Sequence, residues 1–341
     1  MKKFIIFIVA LIMLLGIISL FNKNEEKEII IKQEDESDIE GIVKELNENT
    51  VKIKNFDGEQ TLFNISEIDK ESIEKITKGD KVKIYYKGEL KKDSSEEVTA
   101  TKLELEEYIV YDVAGVSENI MGKALADMNA MRAKMKAQAL THKDTVFLDD
   151  QPESNSVYLT FDDGPDGQVT PRILDILQSY NVKGNFFFLG ESAKMYPEVV
   201  KETFDRGNFI GNHTYDHKDL TTLSPAQIKN EIDKTEEVLS SITGKKSKAI
   251  RPPYGASNGN VIKAIKDNGS VSVLWSIDTL DWSKKEVASI LKNVTDNLRP
   301  GDIILMHSNG DKGVTADALP YVIEAIKARG YKISTLDKLV G

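Results

Sequence analysis

The stretch that decides the fold is Val157-Tyr158-Leu159-Thr160-Phe161-Asp162-Asp163-Gly164-Pro165, an apolar run that stops at two adjacent carboxylates followed by Gly-Pro. This pattern predicts a buried strand that delivers Asp162 and Asp163 to a loop. Neighbouring aspartates repel each other and are costly to desolvate together, so a site that keeps both ionised usually supplies a cation or a buried arginine. The alternative is a simple Asp-Gly-Pro turn, because these residues favour turns for backbone reasons.

Strand-like and helix-like segments alternate from Ser154 to the last residue, Gly341. Two stretches, Ser224–Gln227 and Ser283–Glu286, match the capping box that begins a helix. Alternating βα units predict an α/β fold with a parallel sheet, either an open doubly wound sheet or a closed barrel.

Three of the four histidines also follow apolar runs. His213 and His217 have a His-x3-His spacing, which would bring both imidazoles to one side of a helical turn, and His307 follows the run Ile303–Met306. A lone histidine after a strand is most often structural. Two histidines and one carboxylate, however, make a three-ligand site with an open position, which is the usual plan of a hydrolytic zinc centre.

Charged residues end two further apolar segments, since Arg251 follows Ala249-Ile250 and Asp278 follows Val271–Ile277. Each alone is compatible with a surface ion pair or a turn. Together with the aspartates and histidines, they lie at the predicted C-terminal ends of parallel strands, the face on which α/β barrels build active sites. The combined pattern therefore predicts an enzyme active site.

With these residues the sequence resembles the NodB-type polysaccharide deacetylases of carbohydrate esterase family 4. The resemblance covers about residues 155–340 and does not extend to residues 1–150. It includes five motifs in order: Thr-Phe-Asp-Asp-Gly-Pro at 160–165, His-Thr-x-x-His at 213–217, Arg-Pro-Pro-Tyr-Gly at 251–255, Asp-x-x-Asp-Trp at 278–282 and Leu-x-His at 305–307. The resemblance implies a distorted (β/α) barrel that removes N- or O-acetyl groups from polysaccharides.

The resemblance also implies the roles of the reacting groups. Asp163, His213 and His217 would bind a divalent metal, Zn²⁺ in the first place with Co²⁺ as an alternative. Asp162 would be the general base and His307 the general acid. The chemistry agrees, because a bound metal lowers the pKa of its water toward about 7 and a free carboxylate beside it can take the water's proton.

Two further charged residues would support the base and the acid. Arg251 would keep Asp162 ionised and oriented. Asp278 would hold His307 in its charged form, so that the imidazolium can protonate the leaving amine. We therefore expect an Arg251–Asp162 pair and an Asp278–His307 pair.

The resemblance implies three substrate contacts. The backbone N–H of Tyr254 would bind the oxyanion, and Trp282 and Leu305 would wall the acetyl pocket. The expected substrate is cell-wall glycan, first of all the N-acetylglucosamine of peptidoglycan, with chitin-like or poly-N-acetylglucosamine chains or acetylxylan as alternatives. An inactive glycan-binding scaffold is a hypothesis from a different class, which the intact base, acid and ligand positions count against.

The N-terminal segment predicts membrane attachment. Lys2-Lys3 precede the uncharged run Phe4–Phe21, whose 18 residues would span about 27 Å as a helix, close to the about 30 Å of the hydrocarbon core. The run ends in a poor small-x-small cleavage site, which favours an uncleaved single-pass anchor over a cleaved signal that would leave a secreted protein. The lysines place this end in the cytoplasm and the catalytic domain outside the cell.

The residues between anchor and catalytic domain fall into three predicted parts. After an anchor at residues 1–22, residues 23–37 are rich in charge and form a tether. Residues 38–108 show period-two apolar runs between turn residues, which predict a small all-β domain, OB-like or SH3-like, that serves as a spacer or docking module. Residues 109–153 form a helical linker that leads into the catalytic domain, residues 154–341.

Methionines mark the predicted helix of the linker. Met121, Leu125, Met128 and Met135 fall on one stripe. Such a stripe is usually core, so we expect a connecting helix that packs on a neighbouring domain, with dimerisation through it as the minority option.

Composition excludes several classes of function. The net charge of −10 argues against a nucleic-acid partner, because phosphate binding needs a basic surface. The absence of cysteine excludes disulfides, thiolate zinc sites and a cysteine nucleophile. The oligomeric state has no signature in the sequence.

Overall fold

A computed structural model of the chain describes residues 36–90, 96–151 and 154–340. The predicted membrane segment, residues 1–22, lies outside these residues, as does the tether apart from its last two positions. In the part of the chain that is described, no helix is both long and apolar enough to cross a membrane.

The described chain begins with a closed five-stranded barrel. Its elements are β1 (Glu36–Leu46), β2 (Thr50–Lys54), β3 (Gln60–Asn64), the short helix α1 (Lys70–Glu74), β4 (Lys81–Lys87) and β5 (Val98–Leu105). The order round the barrel is β1-β2-β3-β5-β4, with β1 pairing to both β2 and β4, and the β3–β5 pair alone is parallel among these pairs. Alternate side chains such as Val51 and Ile53 point inward and are fully buried. Five short strands in a closed order are what a small all-β domain requires, and the OB-like and SH3-like forms both stay predictions.

A curled sheet of parallel strands follows the barrel in the described chain. Its strands are β6 (Val146–Phe147), β7 (Ser156–Asp163), β8 (Asn185–Phe188), β9 (Phe209–Asn212), β10 (Ala249–Ile250), β11 (Val271–Val273), β12 (Ile277–Asp278), β13 (Ile303–His307) and β14 (Lys332–Ile333). The order is β12-β13-β7-β8-β9-β10-β11-β6, and β14 pairs with the start of β7. This α/β sheet fits the expected (β/α) barrel.

Helices connect the strands and cover the outside of the sheet. They are α2 (Gly122–Thr141), α3 (Val169–Ser179), α4 (Gly190–Met195), α5 (Pro197–Asp205), α6 (Pro225–Thr243), α7 (Gly259–Asp267), α8 (Val287–Thr295), α9 (Gly313–Ala328) and α10 (Asp337–Val340), with 3-10 turns at Leu220–Thr222 and Pro253–Gly255. The predicted capping box at Ser224 and Gln227 is confirmed at the start of α6. The second one is wrong, because α8 begins at Val287 with Glu286 as an N-cap that makes no side-chain hydrogen bond.

The predicted linker supplies part of the catalytic sheet and its core. β6 pairs with β11, and Ala114 forms a parallel bridge with Ile277 of β12. Met135 and Ala139 of α2 are buried in the same apolar cluster as Tyr158 of β7. Residues 110–148 therefore close the sheet on the side of β11 and β12, where the sequence pattern predicted a connecting helix packed on a neighbouring domain but no strand.

The central strand β7 explains why the opening stretch organises the fold. Seven of its eight residues are buried, and only Asp163 at its end is partly exposed. Strand β7 pairs with β8 on one side and β13 on the other, and Phe161 stacks on Phe186 with ring centroids 4.9 Å apart. A strand covered on both faces reads as a continuous apolar run, which is the pattern that precedes Asp162.

Candidate active site

The ends of five strands of the sheet, β12, β13, β7, β9 and β10, bring the predicted site residues together. β7 ends at Asp163, β12 ends at Asp278 and β13 ends at His307, while His213 and Arg251 directly follow β9 and β10. His307 lies opposite Asp162 in the register of β13 and β7. Because all these pairs are parallel, the strands present their carboxyl ends at one edge, where the side chains can meet.

Asp163, His213 and His217 form a compact group of three donor atoms. Asp163 Oδ1 lies 3.5 Å from His213 Nε2 and 3.3 Å from His217 Nε2, and one ligand atom from each residue lies within 4.8 Å of the others. Asp163 Oδ1 is buried and has no hydrogen-bond partner among the described residues. Two imidazole nitrogens and one orphaned carboxylate oxygen fit a divalent transition metal that keeps an open coordination position.

The other ring nitrogen of each histidine has a partner that fixes the ring. His213 Nδ1 lies 2.7 Å from the carbonyl oxygen of Arg251, and His217 Nδ1 lies 3.2 Å from the Tyr254 hydroxyl. Such outer partners orient the Nε2 atoms toward the site and fix the tautomer, as they do around metal-binding histidines.

The ionisation of the group favours cation binding. Burial alone would raise the pKa of Asp163, but the neighbouring His213, His307 and His217 outweigh burial and hold this pKa below its usual range. Burial and His213 lower the pKa of His217. An ionised carboxylate beside a neutral imidazole is the protonation state that a metal requires.

The loop between the two histidines is not a helical turn, which corrects the geometry expected from the His-x3-His spacing. Thr214 and His217 have φ values of 68° and 62°, in the left-handed region, and these two positions fold the loop back on itself. The buried carboxylate of Glu231 on α6 accepts hydrogen bonds from the backbone N–H groups of Tyr215 and Asp216 at 3.2 and 3.4 Å. Sequence reasoning missed Glu231, since nothing distinguishes it from the other charged residues of α6.

Strained backbone concentrates at this site. Among the described residues, six that are not glycine have a positive φ, and five of them belong to the site loops: Asp163, Thr214, His217, Tyr254 and Leu280. Left-handed backbone is costly for residues with a Cβ, so the packing around these loops must over-determine their conformation. This clustering is typical of a functional site.

Arg251 holds one oxygen of Asp162 as expected. The guanidinium is fully buried, and its Nη1 donates to Asp162 Oδ1 at 2.8 Å. The remaining donors bond to the Thr160 hydroxyl and to the carbonyl oxygens of Val273 and Leu274, each at 2.8 Å. Because every arm of the arginine is satisfied, the pair is rigid.

The second oxygen of Asp162 faces the metal-ligand group. Asp162 Oδ2 lies 3.7 Å from His213 Nε2, and the whole side chain is buried. Asp162 and Asp163 thus point to different partners, as consecutive residues at a strand end do. Arg251 binds the carboxylate of Asp162. Among the described side chains, the histidines are the groups that approach the carboxylate of Asp163.

The expectation that Asp278 holds His307 is wrong, because Asp281 does so. His307 Nδ1 lies 2.8 Å from Asp281 Oδ1, and the His307 backbone N–H donates to Asp281 Oδ2 at 2.9 Å. Thr315 donates to the same carboxylate at 2.6 Å. The reason is a turn after β12, in which Leu280 at φ 57° reverses the chain and directs Asp281 toward β13.

Asp281 sets the charge of the imidazole. Burial alone would lower the pKa of His307, but the Asp281 carboxylate outweighs burial and raises this pKa to about 9. Burial also opposes ionisation of Asp281, yet His307 and Thr315 hold its pKa below the usual range. The pair is therefore an imidazolium bound to a carboxylate at neutral pH.

Asp278 has a different position in the site. It accepts hydrogen bonds from the Leu280 backbone N–H at 2.9 Å and from Trp282 Nε1 at 3.3 Å. Burial raises its pKa to about 6, against the hydrogen bond from Leu280 and the charge of Arg132. Asp278 thus orients the turn that carries Asp281 and Trp282.

The three predicted substrate contacts line one cleft with the metal-ligand group. The cleft has a volume of about 490 Å³ and includes Tyr254, Trp282 and Leu305. Tyr254 and Trp282 are 59% and 44% exposed, whereas Leu305 is buried at the bottom. Aromatic rings at the rim and an apolar floor suit a sugar with a small acyl group.

Residues 149–273 match a family model described as polysaccharide deacetylase. A peptidoglycan-N-acetylglucosamine deacetylase of Bacillus cereus is 43% identical over 185 residues, which cover 54% of this chain and 67% of the relative. A chitooligosaccharide deacetylase of Azorhizobium caulinodans is 33% identical over 53% of this chain and 93% of its own length. The crystal structure of the Bc1960 peptidoglycan N-acetylglucosamine deacetylase superposes with a TM-score of 0.57 at 39% identity and covers 58% of this chain and 95% of that one.

Proposed function

Because this chain belongs to the polysaccharide deacetylase family, the NodB-type carbohydrate esterases of family 4, we propose that it removes the N-acetyl group of N-acetylglucosamine in peptidoglycan with the help of a divalent metal. The observation that carries the proposal is the meeting of Asp163, His213 and His217 with Asp162 and His307 in one cleft. The sequence identity of 43% with the Bacillus cereus enzyme supports peptidoglycan as the substrate.

Asp163, His213 and His217 would hold the metal. Two imidazole nitrogens and one carboxylate oxygen form a donor set that suits Zn²⁺ and accepts Co²⁺. When bound, the metal supplies Lewis acidity to the acetyl carbonyl and lowers the pKa of a coordinated water. The chain itself provides the orientation of both imidazoles through the Arg251 carbonyl and the Tyr254 hydroxyl.

Asp162 acts as the general base in this proposal. Arg251 fixes Asp162 Oδ1, so that Oδ2 remains available on the side of the metal ligands to accept the proton of the attacking water. A fixed carboxylate with one free oxygen needs no reorganisation during the reaction, which favours proton transfer.

His307 acts as the general acid. Its imidazolium, held through Nδ1 by Asp281, presents Nε2 to the cleft and donates a proton to the leaving amine. The backbone N–H of Tyr254 would bind the oxyanion, and Trp282 and Leu305 would enclose the acetyl methyl group. In this scheme Asp278 is a positioning residue and not a proton donor.

The enzyme would act outside the cell. The uncharged run Phe4–Phe21 after Lys2-Lys3 supports a single-pass anchor with the catalytic part on the outer face, where a cell-wall glycan is within reach. Fractionation of cells, with protease added from outside, tests this location. Cleavage of the catalytic part in intact cells is the expected result, and protection until the cells are broken would contradict it.

Chitin-like chains are the second candidate substrate, because the Azorhizobium relative is a chitooligosaccharide deacetylase. Acetate release from purified peptidoglycan, chitooligosaccharide and acetylxylan decides between them, with the zinc-loaded full chain and its D162N variant as the blank. Peptidoglycan should be deacetylated. Release from another polymer with peptidoglycan untouched would reject the proposed substrate, and release from none of the three would reject all three substrates and favour the glycan-binding scaffold.

A further inference from the structure

Helix α2 forms one side of the catalytic cleft. Five of its residues border the same space as the metal-ligand group, namely Asp127, Met128, Met131, Arg132 and Met135. The helix spans Gly122–Thr141 and therefore precedes residue 149, where the match to the family model begins. The chain thus adds a wall to the cleft from a segment outside that match.

The C-terminal half of α2 is fixed to the catalytic sheet. Met135 and Ala139 are its buried residues, and Gln138 Nε2 donates to the Ser257 carbonyl at 3.1 Å. Arg132 Nη1 donates to the carbonyl of Gly115 at 2.9 Å. The preceding turn, with the half-buried Met128 and Met131, is therefore held against the cleft.

One nitrogen of the Arg132 guanidinium makes an ion pair but no hydrogen bond within the described residues. Its Nη2 is buried without a hydrogen-bond partner among the described residues. The carboxylate oxygen Asp278 Oδ2 lies 3.8 Å away, which is an ion-pair distance but too long for a hydrogen bond. A buried donor without a partner is unfavourable, so an oxygen of a bound ligand would improve the energy of this group.

The position of Arg132 relative to the acetyl pocket indicates which part of a glycan it meets. Asp278 lies between Arg132 and Trp282, since it also accepts from Trp282 Nε1. Arg132 is thus beside the proposed acetyl pocket and not in it. Met128 and Met131 add flexible apolar surface, which suits the C–H face of a sugar ring, while the guanidinium suits its oxygens.

We propose that Arg132, Met128 and Met131 form a subsite for the sugar that adjoins the one being deacetylated. This inference rests on the proposed function. The Arg132 guanidinium donates to an oxygen of the adjoining sugar, and the two methionines contact its apolar face. The three residues determine specificity for chain length and take no part in the proton transfers.

The test compares three variants of the full chain with the wild type: Arg132→Met, Met128→Ser and, as a matched control, Met195→Ser. Met195 is a methionine that is 62% exposed and does not line the cleft. The first readout is binding of the four-sugar N-acetylglucosamine oligomer to the metal-free protein by calorimetry. The second is kcat/KM for acetate release from the four-sugar and the one-sugar substrate with zinc present.

Arg132→Met should weaken binding of the four-sugar chain by about five- to tenfold, as expected for the loss of one hydrogen bond to a neutral acceptor. The kcat/KM ratio of four sugars to one should fall by a similar factor, and Met128→Ser should lower it in the same direction. Met195→Ser should change neither. Thermal unfolding identifies a variant that has lost its fold, and Met128→Ser keeps the test decisive in that case.

Unchanged binding and an unchanged ratio in both cleft variants would overturn the subsite, as would an equal loss for one and four sugars. The proposed function fails in a different way. A wild type that releases no acetate with zinc from peptidoglycan or from the four-sugar chain, but whose binding of the four-sugar chain still depends on Arg132, would reject the deacetylase mechanism and support the subsite. Acetate release by the wild type, together with binding and a kcat/KM ratio that do not change in Arg132→Met or Met128→Ser, would support the deacetylase mechanism and reject the subsite.

Discussion

Asp281 and Asp278 lie three residues apart in one motif, yet only Asp281 contacts His307. The sequence shows two aspartates that are equally able to hold an imidazolium, and it does not reveal the left-handed turn at Leu280 that separates them. Side-chain direction after a strand depends on such single backbone angles. The motif therefore could not predict which of the two aspartates supports His307.

The Asp281→Asn variant should shift the alkaline limb of activity to lower pH. The carboxylate raises the pKa of His307 to about 9, and burial alone would lower it, so its removal lowers that pKa. The general acid is active in its protonated form, and activity is lost as pH rises through the pKa. The measurement is kcat/KM against pH, with a loss of about 10²- to 10⁴-fold expected at alkaline pH.

Asp278→Asn is the matched control for this experiment, since Asp278 makes no hydrogen bond to His307 among the described contacts. It should leave the position of the alkaline limb close to that of the wild type. If the alkaline limb of the pH profile shifts in Asp278→Asn and does not shift in Asp281→Asn, the assignment of Asp281 as the partner of His307 is contradicted.

At the scale of elements, the loop of the two histidines depends on α6. Glu231 accepts from two backbone N–H groups between His213 and His217, and Lys218 Nζ lies 3.3 Å from its other oxygen. Replacing Glu231 with alanine removes the acceptor of these partly buried donors and frees the loop. We expect metal affinity to fall by about 10- to 100-fold, as for other groups that support metal ligands.

Competition with a chelator measures the zinc dissociation constant in this test. Glu237→Ala is the control, because Glu237 lies exposed on the same helix. Wild-type zinc affinity in Glu231→Ala, with the fold intact by thermal unfolding, would show that the strained loop holds the histidines without help from α6.

Helix α2 shows which contacts of a helix its sequence pattern predicts and which it does not. Its methionine stripe predicts packing on a neighbour, and Met135 does pack on the catalytic core. The same stripe borders the cleft through Met128 and Met135, and Met131, which is not part of the stripe, borders it as well. A helix face that packs in a core and a helix face that lines a cleft show the same pattern of apolar residues. Only the three-dimensional arrangement distinguishes the two faces.

At the scale of the whole molecule, the catalytic unit extends further toward the N terminus than the motifs do. Buried apolar residues before residue 154 belong to the same cluster as β7 and β13: Val110, Val113, Met135, Ala139, Val146 and Leu148. The motif pattern placed the boundary at Ser154 because the recognisable signals begin there. Short segments such as β6, with two residues, carry no periodicity that a sequence could show.

A chain that begins at residue 154 should therefore fail to fold stably, whereas one that begins at residue 107 should fold. Each large apolar side chain of this cluster contributes about 1.5–3 kcal/mol by burial. Losing several of them removes much of the about 5–15 kcal/mol by which typical proteins are stable. Soluble yield and the midpoint of thermal unfolding compare the two chains, and a shorter chain as stable as the longer one would contradict this domain boundary.

The central claim is that Asp162 and Asp163, adjacent at the end of β7, have separate duties as base and metal ligand. The most direct measurement is the zinc content and acetate release of Asp162→Asn and Asp163→Asn, purified and loaded alike. Asp162→Asn should bind one zinc per chain and release no acetate above a reaction without protein, and Asp163→Asn should lose both the zinc and the activity. Full zinc occupancy in Asp163→Asn, or turnover by Asp162→Asn near the wild-type rate, would contradict the account.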